Sequence, residues 1–232
     1  MTKTQLVVFD VAGTTVFDGD IVIDAIDDAL TLGEVHVDRD AIRALMGVPK
    51  PVAIRTLLEQ RGHRLDEADA LVETVHEAFL ERVLERYRHA GSVREVEGAG
   101  QLFVALHERG IKVALDTGFS RPVLDVLLDR LGWTTPDVID CSVTSDEVAH
   151  GRPAPDLIRR AMLLTGVADA RAVAKVGDTP ADIESGRAAA CGHVIGVTYG
   201  THSRAELERH RPDAIIDELA SLVQLVAGRR DI

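Results

Sequence analysis

Leu6-Val7-Val8-Phe9-Asp10-Val11-Ala12-Gly13-Thr14-Thr15 decides how the rest of the chain is read. Four apolar residues run into an acidic one, and a turn of small residues follows. The run is too short for a helix, and its β-branched and aromatic content suits a strand buried on both faces. Asp10 then stands at the C-terminal end of that strand, where open α/β sheets bind ligands. A carboxylate at such a place is a strand cap or a reactive group.

Two later apolar runs end in the same way. Residues 111–116 predict a strand that runs into Asp116-Thr117-Gly118. Residues 172–178 predict another, with Asp178 at its end and Asp182 four positions on. Weaker strands are expected over 138–141, 194–197 and 214–216. Helices are expected over 99–109, 122–131, 156–165, 181–190 and 219–226. Gly98-Ala99-Gly100 follows no strand and is read as a helix start rather than a dinucleotide loop. Alternating strands and helices imply a parallel sheet covered on both faces, with right-handed crossovers.

Residues 16–96 lack that alternation. Residues 16–20 read as a turn, and helices are expected over 21–32, 38–46, 51–60 and 66–89, with no strand among them. Proline at position 51 suits a helix start. In the longest helix Leu71, Val75, Phe79, Val83 and Tyr87 recur every fourth residue and make one apolar stripe. The expected fold is therefore a doubly wound, Rossmann-like α/β core over 1–15 and 97–232, with an all-helical cap domain inserted over 16–96.

The chain has 232 residues, 46% of them hydrophobic, enough for a core with an insertion. Its 26 basic and 38 acidic residues leave a net charge of −12. That balance disfavours nucleic acid and anionic membranes as partners. An anionic substrate then needs a locally positive site. Cys141 and Cys191 lack metal-ligand spacing and read as free thiols. No apolar run reaches transmembrane length and no signal-peptide pattern is visible, so a cytoplasmic protein is expected.

Strand ends of a parallel sheet share one edge, so the polar clusters should meet. Asp10 and Asp178 form a carboxylate pair suited to Mg²⁺, which keeps waters and substrate phosphate among its ligands. Thr117 and the Gly118 amide suit a phosphoryl oxygen. Arg152 offers a planar fork and a charge that does not titrate away. A small phosphorylated or phosphonate substrate is the expected partner.

At these residues the chain resembles the haloacid dehalogenase superfamily of hydrolases. The stretch from Phe9 to Thr15 resembles its first motif, Leu115 to Gly118 its second, Arg152 its third, and Val176 to Asp182 its fourth. The resemblance spans the core, and the insertion falls where the family places a helical cap. It implies that Asp10 is the nucleophile that takes the phosphoryl group. It also implies that Asp178 and the Ala12 backbone carbonyl join Asp10 in binding Mg²⁺, with Asp182 in support. A cap-mediated homodimer is allowed by the same resemblance.

Ala12 departs from most phosphatases of the superfamily, which carry an aspartate there to protonate the leaving group. Alanine transfers no proton. The Asp-x-Ala-Gly-Thr form of the motif, with arginine in the third, resembles the phosphonatase branch (phosphonoacetaldehyde hydrolase). That branch forms an imine between a cap lysine and an aldehyde, and the iminium accepts electrons as the carbon–phosphorus bond breaks. Met46-Gly47-Val48-Pro49-Lys50 resembles its cap motif. Lys50 is one of four lysines set against 22 arginines, and it alone lies in the expected cap. To attack a carbonyl it must be neutral, which requires burial or a nearby cation to lower its pKa. Ala53 stands where the branch has a histidine, and Phe119 where it has a tyrosine. His36, His63 and His150 are the histidines weighed as substitutes, each also readable as a surface residue. The competing readings are a phosphomonoesterase of the same fold, a binding protein on that fold, and a phospho-accepting receiver domain, which the large insertion disfavours.

Overall fold

A computed structural model describes residues 2–63 and 65–226. The first strand, β1 (Leu6–Asp10), is buried throughout. A short strand β2 (Val16–Phe17) follows, then four helices: α1 (Ile21–Leu32), α2 (Arg39–Arg43), α3 (Lys50–Gln60) and α4 (Leu65–His89). The chain returns through β3 (Arg94–Glu95) to α5 (Ala99–His107), β4 (Lys112–Thr117), α6 (Arg121–Leu131) and β5 (Cys141–Thr144). It ends with α7 (Asp156–Thr165), β6 (Val173–Gly177), α8 (Pro180–Ala188), β7 (His193–Val197), α9 (Arg204–Arg209), β8 (Ala214–Ile216) and α10 (Leu222–Val226).

Six strands make one parallel sheet in the order β5-β4-β1-β6-β7-β8. β1 is where the winding reverses, because β4 and β5 lie on one side of it and β6 to β8 on the other. The crevice outside the strand ends opens at such a switch point, and Asp10 is the last residue of β1. Alternation along β1 feeds two apolar layers. Val7 and Phe9 join α5, α6 and the helical insertion. Leu6 and Val8 join α7 and α8 on the other face. Phe9, Phe103 and Trp133 form an aromatic row in the first layer, with ring centroids 5.5 and 5.1 Å apart.

The helices between β2 and β3 pack on one another, with α4 against α1 and α3. Val75, Phe79, Val83 and Tyr87 are buried as the stripe requires, and Leu71 is half-buried. Two expectations need correction here. The segment from 17 to 96 does contain a strand: Arg94 and Glu95 pair antiparallel with Phe17 and Val16. The Val96 amide also donates to the Thr15 carbonyl at 2.8 Å. The pairing is two residues per strand, too short to show a period. The strand expected over 138–141 lies later, at Cys141–Thr144. The Val138 and Ile139 amides close instead on the Thr134 carbonyl, at 2.9 and 3.2 Å, so the ladder starts only at Cys141 opposite Ala114. The short helix α9 carries no apolar period and was not expected. Its start is visible only as a capping box, with Ser203 accepting from the Glu206 amide and Glu206 from the Ser203 amide.

Candidate active site

The tight turn after β1 is built by one acceptor. The Val11 carbonyl takes the amides of Thr14, Thr15 and Val16 at 3.3, 2.9 and 2.8 Å, and Gly13 turns with φ of 90°. The Thr15 hydroxyl donates to the Asp10 carbonyl at 2.9 Å. The Thr14 hydroxyl reaches Asp178 Oδ1 at 3.1 Å and so ties the first strand end to the last. Asp178 Oδ2 accepts from the Thr201 amide at 2.6 Å. Asp182 is the third helical residue of α8, reciprocally capped with Thr179. Its Oδ2 takes the Thr179 amide at 3.2 Å and hydroxyl at 2.5 Å. Its Oδ1 faces two cations, Arg152 and Lys175.

Register sets Asp10 beside Asp116, and Asp178 follows the end of the neighbouring strand β6. One carboxylate oxygen from each of Asp10, Asp178 and Asp182 lies within 4.8 Å of the others. All three are buried. Burial pushes the Asp10 carboxyl up, Arg152 opposes this, and Asp182 and Asp178 add to it, for a value of about 8. Asp178 is likewise raised, by burial and then by Asp182. Asp182 is held low despite its burial, because Arg152 and Lys175 flank it.

This donor set fits a divalent cation. Asp10, Asp116, Asp178 and Asp182 are four buried carboxylates, and the buried cations paired with them are Arg152 and Lys175. The surplus is two negative charges, the amount a Mg²⁺ would neutralise. Asp182 is already paired with two cations, whereas Asp178 accepts from the Thr14 hydroxyl and the Thr201 amide, so Asp10 and Asp178 are better placed to face such an ion.

Arg152 differs from its expected role. It is fully buried, and its fork does not stand open to an incoming anion. One terminal nitrogen donates to Asp182, and the other to Asp10 Oδ1 at 2.6 Å and the Asp116 carbonyl at 3.3 Å. Burial alone would lower its pKa, but Asp182 and Asp10 outweigh that and raise it. Lys175 was missed in the sequence as a site residue. It sits mid-strand in β6 and pairs with Asp116 and Asp182. Those two carboxylates outweigh its burial and hold it above an ordinary lysine. The available signal was a lysine inside a strand buried on both faces, which demands a buried counter-charge.

A cavity of about 350 Å³ opens over these strand ends. Asp10, Ala12, Thr117, Gly118 and Arg152 all line it, as does Lys50 from the helical insertion. The Thr117 Oγ1 accepts the Phe119 amide at 3.2 Å, which leaves its own proton to donate. Lys50 is the first residue of α3, and close backbone approach seats it. Gly47 has φ of 87°, and a Cβ there would lie 2.3 Å from Thr179 Oγ1. A Cβ on Gly118 would lie 3.0 Å from the Val48 carbonyl, and one on Gly151 would lie 2.3 Å from Pro49 Cγ. Lys50 is 5% exposed, and its Nζ stands 5.8 Å from the Phe119 ring centroid. Among the described residues no carboxylate lies within 4.0 Å of that nitrogen. Burial, and then Arg152, lower its pKa to about 8. About a tenth of the amine is therefore neutral at pH 7, against roughly 0.1% or less for a free lysine. Ala53 is buried one helical turn on from Lys50. His36 and His150 are exposed and His63 half-exposed, and none of the three reaches the cavity.

Among the described residues no helix is long and apolar enough to cross a membrane. The chain is similar over 98% of its length, at 28% identity, to the phosphonoacetaldehyde hydrolase of Bacillus cereus, of which it covers 88%. Two solved structures share the fold. A phosphonoacetaldehyde hydrolase like protein from Oleispira antarctica matches with a TM-score of 0.82 and 20% identity, over 97% of this chain and 92% of that one. A protein provisionally assigned as a phosphoglycolate phosphatase, from Lactobacillus delbrueckii, matches with a TM-score of 0.80 and 21% identity, over 98% and 100%. The family model for haloacid dehalogenase-like hydrolases matches residues 4–190, which contain the ends of β1, β4 and β6. The chain is an enzyme belonging to the haloacid dehalogenase-like hydrolases.

Proposed function

We propose that this hydrolase cleaves a small phosphonate bearing an aldehyde, phosphonoacetaldehyde or a near relative, through an imine on Lys50 and a phosphoryl-enzyme on Asp10. One observation carries the reading. A buried lysine from the helical cap, residues 16–96, lines the same cavity as Asp10, with no carboxylate within 4.0 Å of its nitrogen among the described residues. Ala12 beside it supplies no acid, so the leaving carbon has to be prepared in another way. The name of the Bacillus cereus relative supports the same substrate class.

Asp10, Asp178 and the Ala12 carbonyl would hold Mg²⁺, with Asp182 orienting the group from behind. The ion, when bound, neutralises charge between the nucleophile and the phosphoryl oxygens. Lys50 condenses with the aldehyde and loses its oxygen as water. Asp10 then attacks phosphorus as the carbon–phosphorus bond breaks, and the bonding pair passes into the iminium to give an enamine. Water returns the lysine and the aldehyde product, and a second water releases phosphate from Asp10. Arg152 holds Asp10 Oδ1 and keeps positive charge at the site of transfer. Thr117 and Gly118 supply hydrogen-bond donors to the phosphoryl oxygens.

Incubation with phosphonoacetaldehyde and cyanoborohydride, followed by peptide mass mapping, tests this. The adduct is expected on Lys50 and on no other lysine, and Lys50→Arg abolishes adduct and turnover of the phosphonate. Wild-type protein that turns over simple phosphate esters and forms no adduct would refute the imine and favour the phosphatase reading.

A further inference from the structure

Asp18 is a carboxylate that none of the roles above uses. It follows β2 and is buried, and it lines the same cavity as Lys50. The Tyr87 hydroxyl, itself fully buried on α4, donates to Asp18 Oδ2 at 2.6 Å. The Tyr87 ring meets the edge of Phe119 at 6.0 Å, and Phe119 is the ring beneath Lys50 Nζ. Asp18, Phe119 and Lys50 line the cavity together, and Tyr87 packs behind Asp18 and Phe119. The charge of Asp178 raises the Asp18 carboxyl and that of Lys50 lowers it, and Asp20 and Arg43 line the same cavity. No ion pair neutralises Asp18 among the described residues. A buried carboxylate that accepts from a hydroxyl and opens to a cavity is an exchangeable proton site.

We infer that Asp18 is the proton carrier for the amine–carbonyl chemistry of Lys50, and that Tyr87 is the residue that positions it. This rests on the imine reading above. Asp18 as carboxylate takes a proton from the Lys50 ammonium and frees the amine lone pair. The nitrogen bonds to the carbonyl carbon, and a proton passes from nitrogen to the former carbonyl oxygen to give a neutral carbinolamine. Asp18 then returns its proton to that hydroxyl. The carbon–oxygen bond breaks, water leaves, and the nitrogen lone pair closes the carbon–nitrogen double bond. The sum is ammonium plus aldehyde giving iminium plus water, with the Asp18 carboxylate regenerated.

The groups are poised for this exchange. Burial raises the Asp18 carboxyl to about 6 against the Tyr87 hydrogen bond, which lowers it. Lys50 lies at about 8. A proton transfer between them crosses a small gap rather than the gap of more than six units between free aspartate and lysine.

The test measures the rate at which the cyanoborohydride-trapped adduct forms on Lys50 with phosphonoacetaldehyde, as a function of pH. In wild-type protein the rate should peak between about pH 6 and pH 8, with limbs set by Asp18 and Lys50. Asp18→Asn should slow adduct formation by at least about 100-fold, the usual scale of general acid–base catalysis. It should also leave a profile that only rises to a plateau above the lysine limb. Asp18→Glu should recover rate. Tyr87→Phe keeps the ring packing, removes the bond that favours the carboxylate, and should move the acidic limb upward. Asp18→Asn trapping at the wild-type rate with an unchanged profile would overturn the role of Asp18 while leaving the imine intact. No adduct in wild-type protein would overturn the imine reading and this inference together. If Asp18→Asn loses its circular-dichroism signal, Tyr87→Phe decides, and an unmoved acidic limb overturns the proposal.

Discussion

Lys175→Met removes a charge and keeps most of the volume of the side chain. Lys175 is buried and contacts Asp116 and Asp182, the latter at 2.9 Å. Asp182 keeps Arg152 and the Thr179 pair of hydrogen bonds. Asp116 keeps far less. Arg152 is 3.8 Å from its Oδ1, and its Oδ2 already has no partner among the described residues. Two unit charges about 4 Å apart interact by about 4 kcal/mol at an effective dielectric of 20. Stranding one buried charge of a pair costs about 3–5 kcal/mol in measured cases. The variant should therefore lose about 3–5 kcal/mol of unfolding free energy, read as a lower urea midpoint with an unchanged slope. For a chain of this size that is a fall in Tm of roughly 6–20 °C. Asp116→Asn added to Lys175→Met should restore part of the loss, since it removes the stranded charge. Their coupling should exceed about 1 kcal/mol. A single variant within about 1 kcal/mol of wild type, or a double variant whose losses simply add, would refute the claim that Lys175 neutralises the carboxylate cluster.

Three further outcomes are expected. Asp178→Ala should abolish Mg²⁺ binding by calorimetry together with turnover, and an unchanged affinity would remove the metal assignment. Arg152→Lys keeps a charge but cannot bond Asp182 and Asp10 from one planar fork, so kcat/KM should fall at least about tenfold, equivalent to ~1.4 kcal/mol. Gly47→Ala places a methyl group against Thr179 Oγ1 at a φ of 87°, so stability should fall by about 1–3 kcal/mol and adduct formation on Lys50 should slow. Wild-type urea midpoints and adduct rates in that variant would show that the approach of Gly47 to Thr179 does not seat the lysine.

The sequence by itself determined the sheet, its parallel winding and the edge on which chemistry sits. Those features are local: a buried apolar run such as Leu6–Phe9, an acidic residue where it stops, and a small-residue turn each act within ten positions. Asp10, Thr117, Gly118 and Asp178 were legible for that reason. Lys50 was legible from its motif and from the scarcity of lysine. Pairing over long separations was decided only by the tertiary structure. Lys175 reaches Asp116 across 59 positions, Arg152 reaches Asp10 across 142, and Tyr87 reaches Asp18 across 69. Strand register and helix packing set these meetings, and neither leaves a periodic trace in the chain. The same holds for the charge state of the site. Asp10 moves to about 8 and Lys50 to about 8 because each is buried beside particular neighbours. Desolvation is a property of the closed cavity and not of the residue that fills it.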